Sequence, residues 1–206
     1  MENKNKNKFK KACAFALAMV LIVGAAYTTL EPTLTKASAT ASDPINVNLS
    51  VDPTLSITSP ADVSMSPNIT GTGASTGSAV WSVTTNSVTG WKLEVAASAA
   101  PAMTSGANNF ADYTEGVLGT PEIWSVAAAA SEFGFTATGS FAEAKYTASK
   151  YQGFQGTTKI QVSHSTTGPD AGDATTVGFK AEVGASKSQA TGNYQAIITA
   201  TATSLP

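Results

Sequence analysis

Over most of this chain, apolar residues recur at every second position, and that spacing admits essentially one class of fold. Ile45, Val47, Leu49 and Val51 alternate with Asn46, Asn48, Ser50 and Asp52. Ala79, Trp81 and Val83 form a second such row. Trp91, Leu93, Val95 and Ala97 form a third, with Lys92 and Glu94 between them. Phe133, Phe135 and Ala137, then Ile160 and Val162, continue the pattern. Val177, Phe179, Ala181 and Val183 follow, and Tyr194, Ala196, Ile198, Ala200 and Ala202 close the series. Side chains two apart share a face of a strand, so each row is one buried face of a half-exposed strand. No helical segments alternate with these rows, which excludes a parallel, helix-covered sheet. The turn signals between rows predict an all-β chain, an antiparallel β-sandwich of roughly 8–10 strands.

The punctuation sets the order. Short strands are expected at residues 55–58 and 63–66, each closed by a proline. Residues 71–77 are a glycine-rich loop. The rows at 79–84 and 91–97 are separated by a short polar turn, which predicts a hairpin. Residues 99–121 lack periodicity and predict a long irregular excursion in the middle of the domain. Residues 122–126 read as a strand and 127–130 as a single helical turn. Residues 141–156 are irregular and aromatic. In residues 159–163, Lys159, Gln161 and Ser163 are expected to point outward.

The N-terminus follows different rules. Five lysines between Lys4 and Lys11 precede an uncharged apolar run over residues 12–27. Ala37-Ser38-Ala39 then supplies a small-x-small exit. That succession predicts a signal helix and a signal peptide over residues 1–39, a flexible leader over 40–44, and one β-sandwich domain over 45–206. The apolar run falls short of the roughly 20 residues that span a bilayer. The membrane is therefore expected to be met only through this segment, before its cleavage. Cys13, the single cysteine, leaves with it, so the exported chain forms no disulfide. Beyond residue 39 stand six lysines, no arginine, six aspartates and six glutamates, a net charge near −6. An acidic chain without arginine has no basic face for phosphates, so a nucleic-acid partner is excluded.

Chemistry-bearing residues are sparse. His164 is the only histidine, and one histidine with no cysteine makes a zinc site untenable. No glycines of a nucleophile elbow surround it, and it reads as a polar strand residue. Glu115, Glu122, Glu132 and Glu143 are not spaced as a glycosidase pair and read as solvated acids. Asp170 and Asp173 lack the spacing of a calcium loop. The expectation is a non-enzyme without cofactor or metal. Trp81 and Trp91 lie on apolar faces and are expected in the core. Trp124, Tyr113, Tyr146, Tyr151 and Phe154 lie in irregular segments, where ligand contacts concentrate, and are the candidate ligand-binding residues.

Two stretches carry a resemblance. Gly90-Trp91-Lys92-Leu93-Glu94-Val95 contains Trp-x-Leu, and residues 191–199 run Thr-Gly-Asn-Tyr-Gln-Ala-Ile-Ile-Thr. In order and spacing they resemble WxL-type surface domains of bacteria. The second Trp-x-Leu of that family is replaced here by Ala200-Thr201-Ala202. The resemblance implies a secreted β-rich module that associates with the cell wall. Together these readings point to a secreted bacterial cell-surface protein, structural or adhesive, with the subunit of a fibre or pilus as one form. The alternative is a module that binds the cell wall or carbohydrate. The expected partners are a cell-wall polymer or neighbouring surface subunits. One device for assembly is donation of residues 45–51 to the sheet edge of a neighbour; pairing within its own sheet is the simpler expectation.

Overall fold

A computed structural model describes residues 40–147, 149–168 and 170–206. The signal peptide and signal helix expected over residues 1–39 lie outside the described residues. The chain divides into two units, Met1–Leu49 and Ser50–Pro206. In the first, residues 40–49 contain no strand and are exposed throughout.

The second unit is all-β. Its strands are β1 (Leu55–Ile57), β2 (Gly73–Thr85), β3 (Trp91–Ala97), β4 (Met103–Ser105), β5 (Asn108–Asp112) and β6 (Glu122–Ile123). Then come β7 (Ser131–Thr138), β8 (Lys150–Tyr151), β9 (Ile160–Ser165), β10 (Asp170–Val183), β11 (Gln195–Ala196) and β12 (Ile198–Ser204). A single 3-10 turn spans Ala144–Tyr146. Twelve strands exceed the expected eight to ten because five of the pieces, β1, β4, β6, β8 and β11, are only two or three residues long.

Seven strands form a large sheet in the order β1-β2-β10-β7-β5-β4-β11. Three form a small sheet, β12-β3-β9, and β6-β8 make a short ribbon. Pairing is antiparallel except between β5 and β7, where Ala111 faces Glu132 in parallel. The inner face of the large sheet carries Trp81, Val83, Phe133, Phe135, Val177 and Phe179, all buried. The small sheet presents Trp91, Leu93, Val95 and Val162 against it, each with no exposed surface. Trp81 and Trp91 are core residues, as their place on the apolar rows predicts.

Several expectations give way. Most of the loop expected over residues 71–77 belongs to β2, and the irregular excursion expected over residues 99–121 carries β4 and β5. β2 and β3 are not a hairpin: β2 pairs with β1 and β10, β3 with β12 and β9. The turn at residues 86–90 is an arch that carries the chain from one sheet to the other. Both rows are apolar on one face, and facing each other across the core buries both faces at once. Gly90 makes the arch possible, with φ of +91° and Ser165 O only 2.1 Å from where a Cβ would stand.

Ser163 points inward, not outward. The pairing of β3 with β9 skips Val162, so Leu93 faces Ser163 while Glu94 faces Gln161. This β-bulge shifts the alternation by one residue. Val162 and Ser163 are both buried, and the Ser163 hydroxyl accepts a 2.8 Å hydrogen bond from Thr175 Oγ1.

Residues 45–51 form no strand, and neither do residues 63–65, beside which only the isolated bridge Ser66–Thr76 occurs. Alternation supplies a face, but a strand also needs a neighbour for its N–H and C=O groups. Residues 45–51 have no ladder partner among the described residues.

Candidate functional site

Two places in the sandwich gather the features that a binding site needs. The first lies on the outer face of the large sheet. Between its strands 5 and 7, the chain arches over Gly134 and returns through the β6–β8 ribbon. A Cβ at Gly134 would stand 2.9 Å from Tyr113 Cβ and 3.1 Å from Trp124 Cζ3, so the missing side chain is the seat of two rings. Tyr113 and Trp124 stack with centroids 4.4 Å apart. Tyr151, on β8, meets Trp124 edge-on at 5.1 Å.

Outward residues of β10 complete the cluster. Trp124 Nε1 donates to Glu182 Oε2 at 2.7 Å. Lys180 pairs with the same carboxylate at 3.3 Å and lies 5.0 Å from the Trp124 ring centroid. The Tyr113 hydroxyl donates to Ile123 O at 3.2 Å and accepts from Ser125 N–H at 3.3 Å. Burial raises the Tyr113 phenol above its ordinary value, the Ser125 N–H opposes this, and Glu122 adds to it. Tyr151 is raised by burial too. Glu132 is raised by burial, against the Thr114 N–H and with the help of Glu122. Lys180 thus serves Glu182 and the indole face together, a cation–π arrangement.

The five aromatic candidates separate here. Trp124 and Tyr151 are half-buried at the outer surface. Tyr113 lies beneath Trp124 and is buried. Tyr146 and Phe154 are core residues, 2% and 4% exposed. Phe154 packs on Phe135 at 4.6 Å and on Phe133 at 5.7 Å. Tyr146 donates its hydroxyl to Gln152 Oε1 at 2.9 Å. Neither offers a ring to a ligand. An irregular segment that wraps a sheet end buries its aromatics as effectively as a strand does, which is why position in a loop misplaced these two.

The second place is a groove of about 1030 Å³ on the inner side of the large sheet. The small sheet covers only part of that face. Ile197 carries the chain from β11, in the large sheet, to β12, in the small one. β12 then runs to the opposite edge, where it lies beside β1. Both meet the 86–90 arch: Asn86 N–H bonds Thr54 O, and Leu205 N–H bonds Gly90 O. Away from the arch they diverge, and the groove opens between residues 59–71 and 189–198. Ala79, Trp81, Phe133, Phe179 and Ala181 lie at its base, polar residues including Ser64, Asn68, Gln189 and Asn193 line it as well, and Asp62 is the charged residue of its lining. No reading of the sequence found this groove, because it arises from the crossing of two sheets.

The polar candidates are engaged elsewhere. His164 Nδ1 lies 2.5 Å from Glu143 Oε1, which also accepts from Gln161 Nε2 at 2.6 Å. The bulge at Val162 is what puts residues 161 and 164 on one side. Ser163 faces the opposite way, into the core, so it offers His164 no nucleophile. Asp170 accepts the Trp91 indole N–H. Glu115 is buried and accepts the Gly153 N–H at 2.9 Å. No cluster of three or more metal-ligating side chains occurs among the described residues.

No family model, curated protein or solved structure matches this chain. Of the two stretches that resemble WxL-type domains, residues 91–95 pair with residues 200–204, while residues 195–199 pair with 103–104 and 96–97, so the two stretches do not face each other.

Proposed function

We propose that this chain is a secreted bacterial cell-surface protein with a structural role, which works by associating with other surface polypeptides and not by catalysis. One observation carries the reading. Ile45, Val47, Leu49 and Val51 are 81%, 86%, 88% and 77% exposed. A row of four large apolar side chains in water, on a segment of strand pattern, is a surface for pairing with another chain. The succession of lysines, apolar run and Ala-x-Ala over residues 1–39 supports export. The acidic, arginine-free composition and the resemblance to wall-associated β-domains support a place outside the cytoplasm.

The test is surface accessibility. Trypsin applied to intact cells is expected to remove the chain, and the mass of the released protein is expected to begin near residue 40. A full-length chain confined to the cytosol would overturn the proposal.

A second reading, a wall- or carbohydrate-binding module, draws on one arrangement: Trp124 and Tyr151 half-exposed beside Lys180. Aromatic faces of this kind stack on sugars. Retention on purified cell wall that is lost in both Trp124→Ala and Tyr151→Ala would favour it. Retention unchanged in both, or absent from the parent chain, supports the structural role.

A further inference from the structure

At Ile198 the groove meets the start of an unpaired strand edge, which continues towards β1. β12 pairs with β3 on one side and with no strand on the other among the described residues. The register identifies which groups are free. Ile197 O accepts from Ser98 N–H, and Leu205 N–H donates to Gly90 O, so odd-numbered residues of this strand face β3. In an antiparallel pair the intervening residues aim their N–H and C=O groups the other way. Ile198, Ala200, Ala202 and Ser204 therefore present their backbone groups to the free edge. Ile198, Ala200 and Ala202 pack on the core yet remain only partly buried. The small sheet has the form of a sheet that lacks one strand at this edge.

The chain also carries a segment of strand pattern with no ladder partner among the described residues. Residues 45–51 alternate apolar and polar, contain no charge and match the seven residues of β12 in length. Their exit route decides whose groove they meet. Asn86 holds the preceding chain at two points: its Oδ1 accepts from Thr54 N–H at 2.6 Å and its Nδ2 donates to Asp52 O at 2.9 Å. These bonds extend the β1–β2 ladder beyond Thr85. The chain thus joins the sheet at the Thr85 end of β2, whereas Ser75 and Ala79 of the same strand line the groove. Reaching its own groove would require residues 45–51 to reverse direction immediately before a clamped segment.

We infer that the groove is the acceptor for residues 45–51 of a second copy of this chain, added as a strand along the free edge of β12. Main-chain bonds to Ile198 and its alternate neighbours give the pairing. Ile45, Val47, Leu49 and Val51 point to the Trp81, Phe133 and Phe179 side of the groove, and Asn46, Asn48 and Ser50 to water. Such an interface is head-to-tail, so it propagates into a filament unless a ring closes it. The inference rests on the reading of the chain as a structural surface protein and names its partner.

The experiment uses the whole chain, purified as its host makes it. A benzoylphenylalanine placed at Val47 is photolysed in an equal mixture with ¹⁵N-labelled parent chain. The expected result is a ladder of multimers, with cross-linked peptides from residues 59–71 or 189–204 that carry the heavy label. Cross-links found only within the light chain would mean that each copy fills its own groove, and would overturn the inference. So would cross-links to other regions, or monomers alone. Leu49→Asp is expected to abolish the ladder while the melting temperature stays that of the parent, since Leu49 is 88% exposed. A ladder that survives Leu49→Asp would also overturn the inference. Failed assembly of a chain that trypsin removes from intact cells sinks the donated strand alone. A cross-linked chain confined to the cytosol sinks the surface role alone.

Discussion

Gly134→Ala tests whether the aromatic arch is seated on the sheet as closely as the structure places it. Gly134 lies between Phe133 and Phe135 on β7, facing away from the core. A methyl group there meets Gln152 O at 2.9 Å, Tyr113 Cβ at 2.9 Å and Trp124 Cζ3 at 3.1 Å. Carbon contacts relax at about 3.5–4.0 Å, so the shortfall is several tenths of an ångström on three sides. The partners are fixed. Gln152 O accepts from Phe135 N–H at 2.9 Å and Phe135 O from Gln152 N–H at 2.8 Å, while Tyr113 N–H bonds Phe133 O at 2.8 Å. Overpacking of this kind costs about 1–3 kcal/mol. The relief of glycine entropy in a strand returns about 0.5–1 kcal/mol. The net expectation is a loss of about 1–2 kcal/mol, or about 2–8 °C in Tm for a domain of this size. Gly116→Ala is the control, because its Cβ would meet only Glu122 Oε2, at 3.4 Å, the tip of a flexible side chain. It is expected to stay within about 0.5 kcal/mol of the parent. Thermal and guanidinium unfolding followed by tryptophan fluorescence measure both, with near-UV circular dichroism reporting the Tyr113–Trp124 stack. Unfolding of Gly134→Ala no earlier than that of Gly116→Ala would refute the reasoning.

Other consequences follow from the same contacts. Phe135→Ala removes a fully buried ring packed on Phe154 and Tyr146 and is expected to cost about 3–5 kcal/mol in chemical denaturation; a loss under about 1 kcal/mol would contradict its place in the core. Thr175→Val alone leaves the buried Ser163 hydroxyl without its partner and is expected to cost about 1–3 kcal/mol, whereas Thr175→Val with Ser163→Ala restores most of the loss. Equal stability of the single and double variants would count against the inward turn of Ser163. Asn86→Ala is expected to speed amide exchange at Thr54 and proteolysis of residues 50–57 while Tm changes little, because both lost bonds are exposed. Tyr113, Tyr146 and Tyr151 are all raised by burial, so the folded state holds these protons more tightly than the unfolded chain does. Their contribution is intact below the ordinary phenol value of about 10 and is lost as pH rises beyond it. Ultraviolet titration is expected to show these phenols ionising together with alkaline unfolding; ordinary titration of all the tyrosines in a folded protein would exclude the burial described.

Alternation made the strands legible and left their partners illegible. The rows beginning at Ala79, Trp91, Phe133, Val177 and Ile198 are strand faces in the structure, because a one-sided apolar row has only a core to face. The same rows say nothing about who lies beside whom. β2 and β3 are neighbours in sequence and opponents across the core, a choice made by the arch at Gly90 and by burial of both faces. Ser163 illustrates a finer limit. One skipped residue at Val162 reverses inside and outside for the rest of β9, and no residue type announces it. Within the aromatic set, Trp124 and Tyr151 stand where an irregular segment predicts, at the surface. Tyr146 and Phe154 do not, because their segment packs against β7 through the Phe135–Gln152 bridge and buries them.

The two places where the sequence reading and the structure part company most are complementary to each other. Residues 45–51 have the pattern of a strand and no sheet. β12 is the edge strand of its sheet and has no ladder partner on its outer side among the described residues. Each alone is a liability: exposed apolar rows and open edges recruit unwanted partners, and proteins ordinarily blunt such edges with charge, proline or a bulge. None of the three lies within either segment. β12 reads Ile-Thr-Ala-Thr-Ala-Thr-Ser, without charge, proline or register shift. Residues 45–51 contain none of these within them, although Asp43-Pro44 and Asp52-Pro53 flank them, the latter in the segment that Asn86 holds. In the inferred arrangement the edge and the strand answer each other between copies, and the Asn86 clamp holds the chain at the Thr85 end of β2. The clamp also fixes where a donated strand begins, so neighbouring domains in such an array are separated by a short and partly fixed connection.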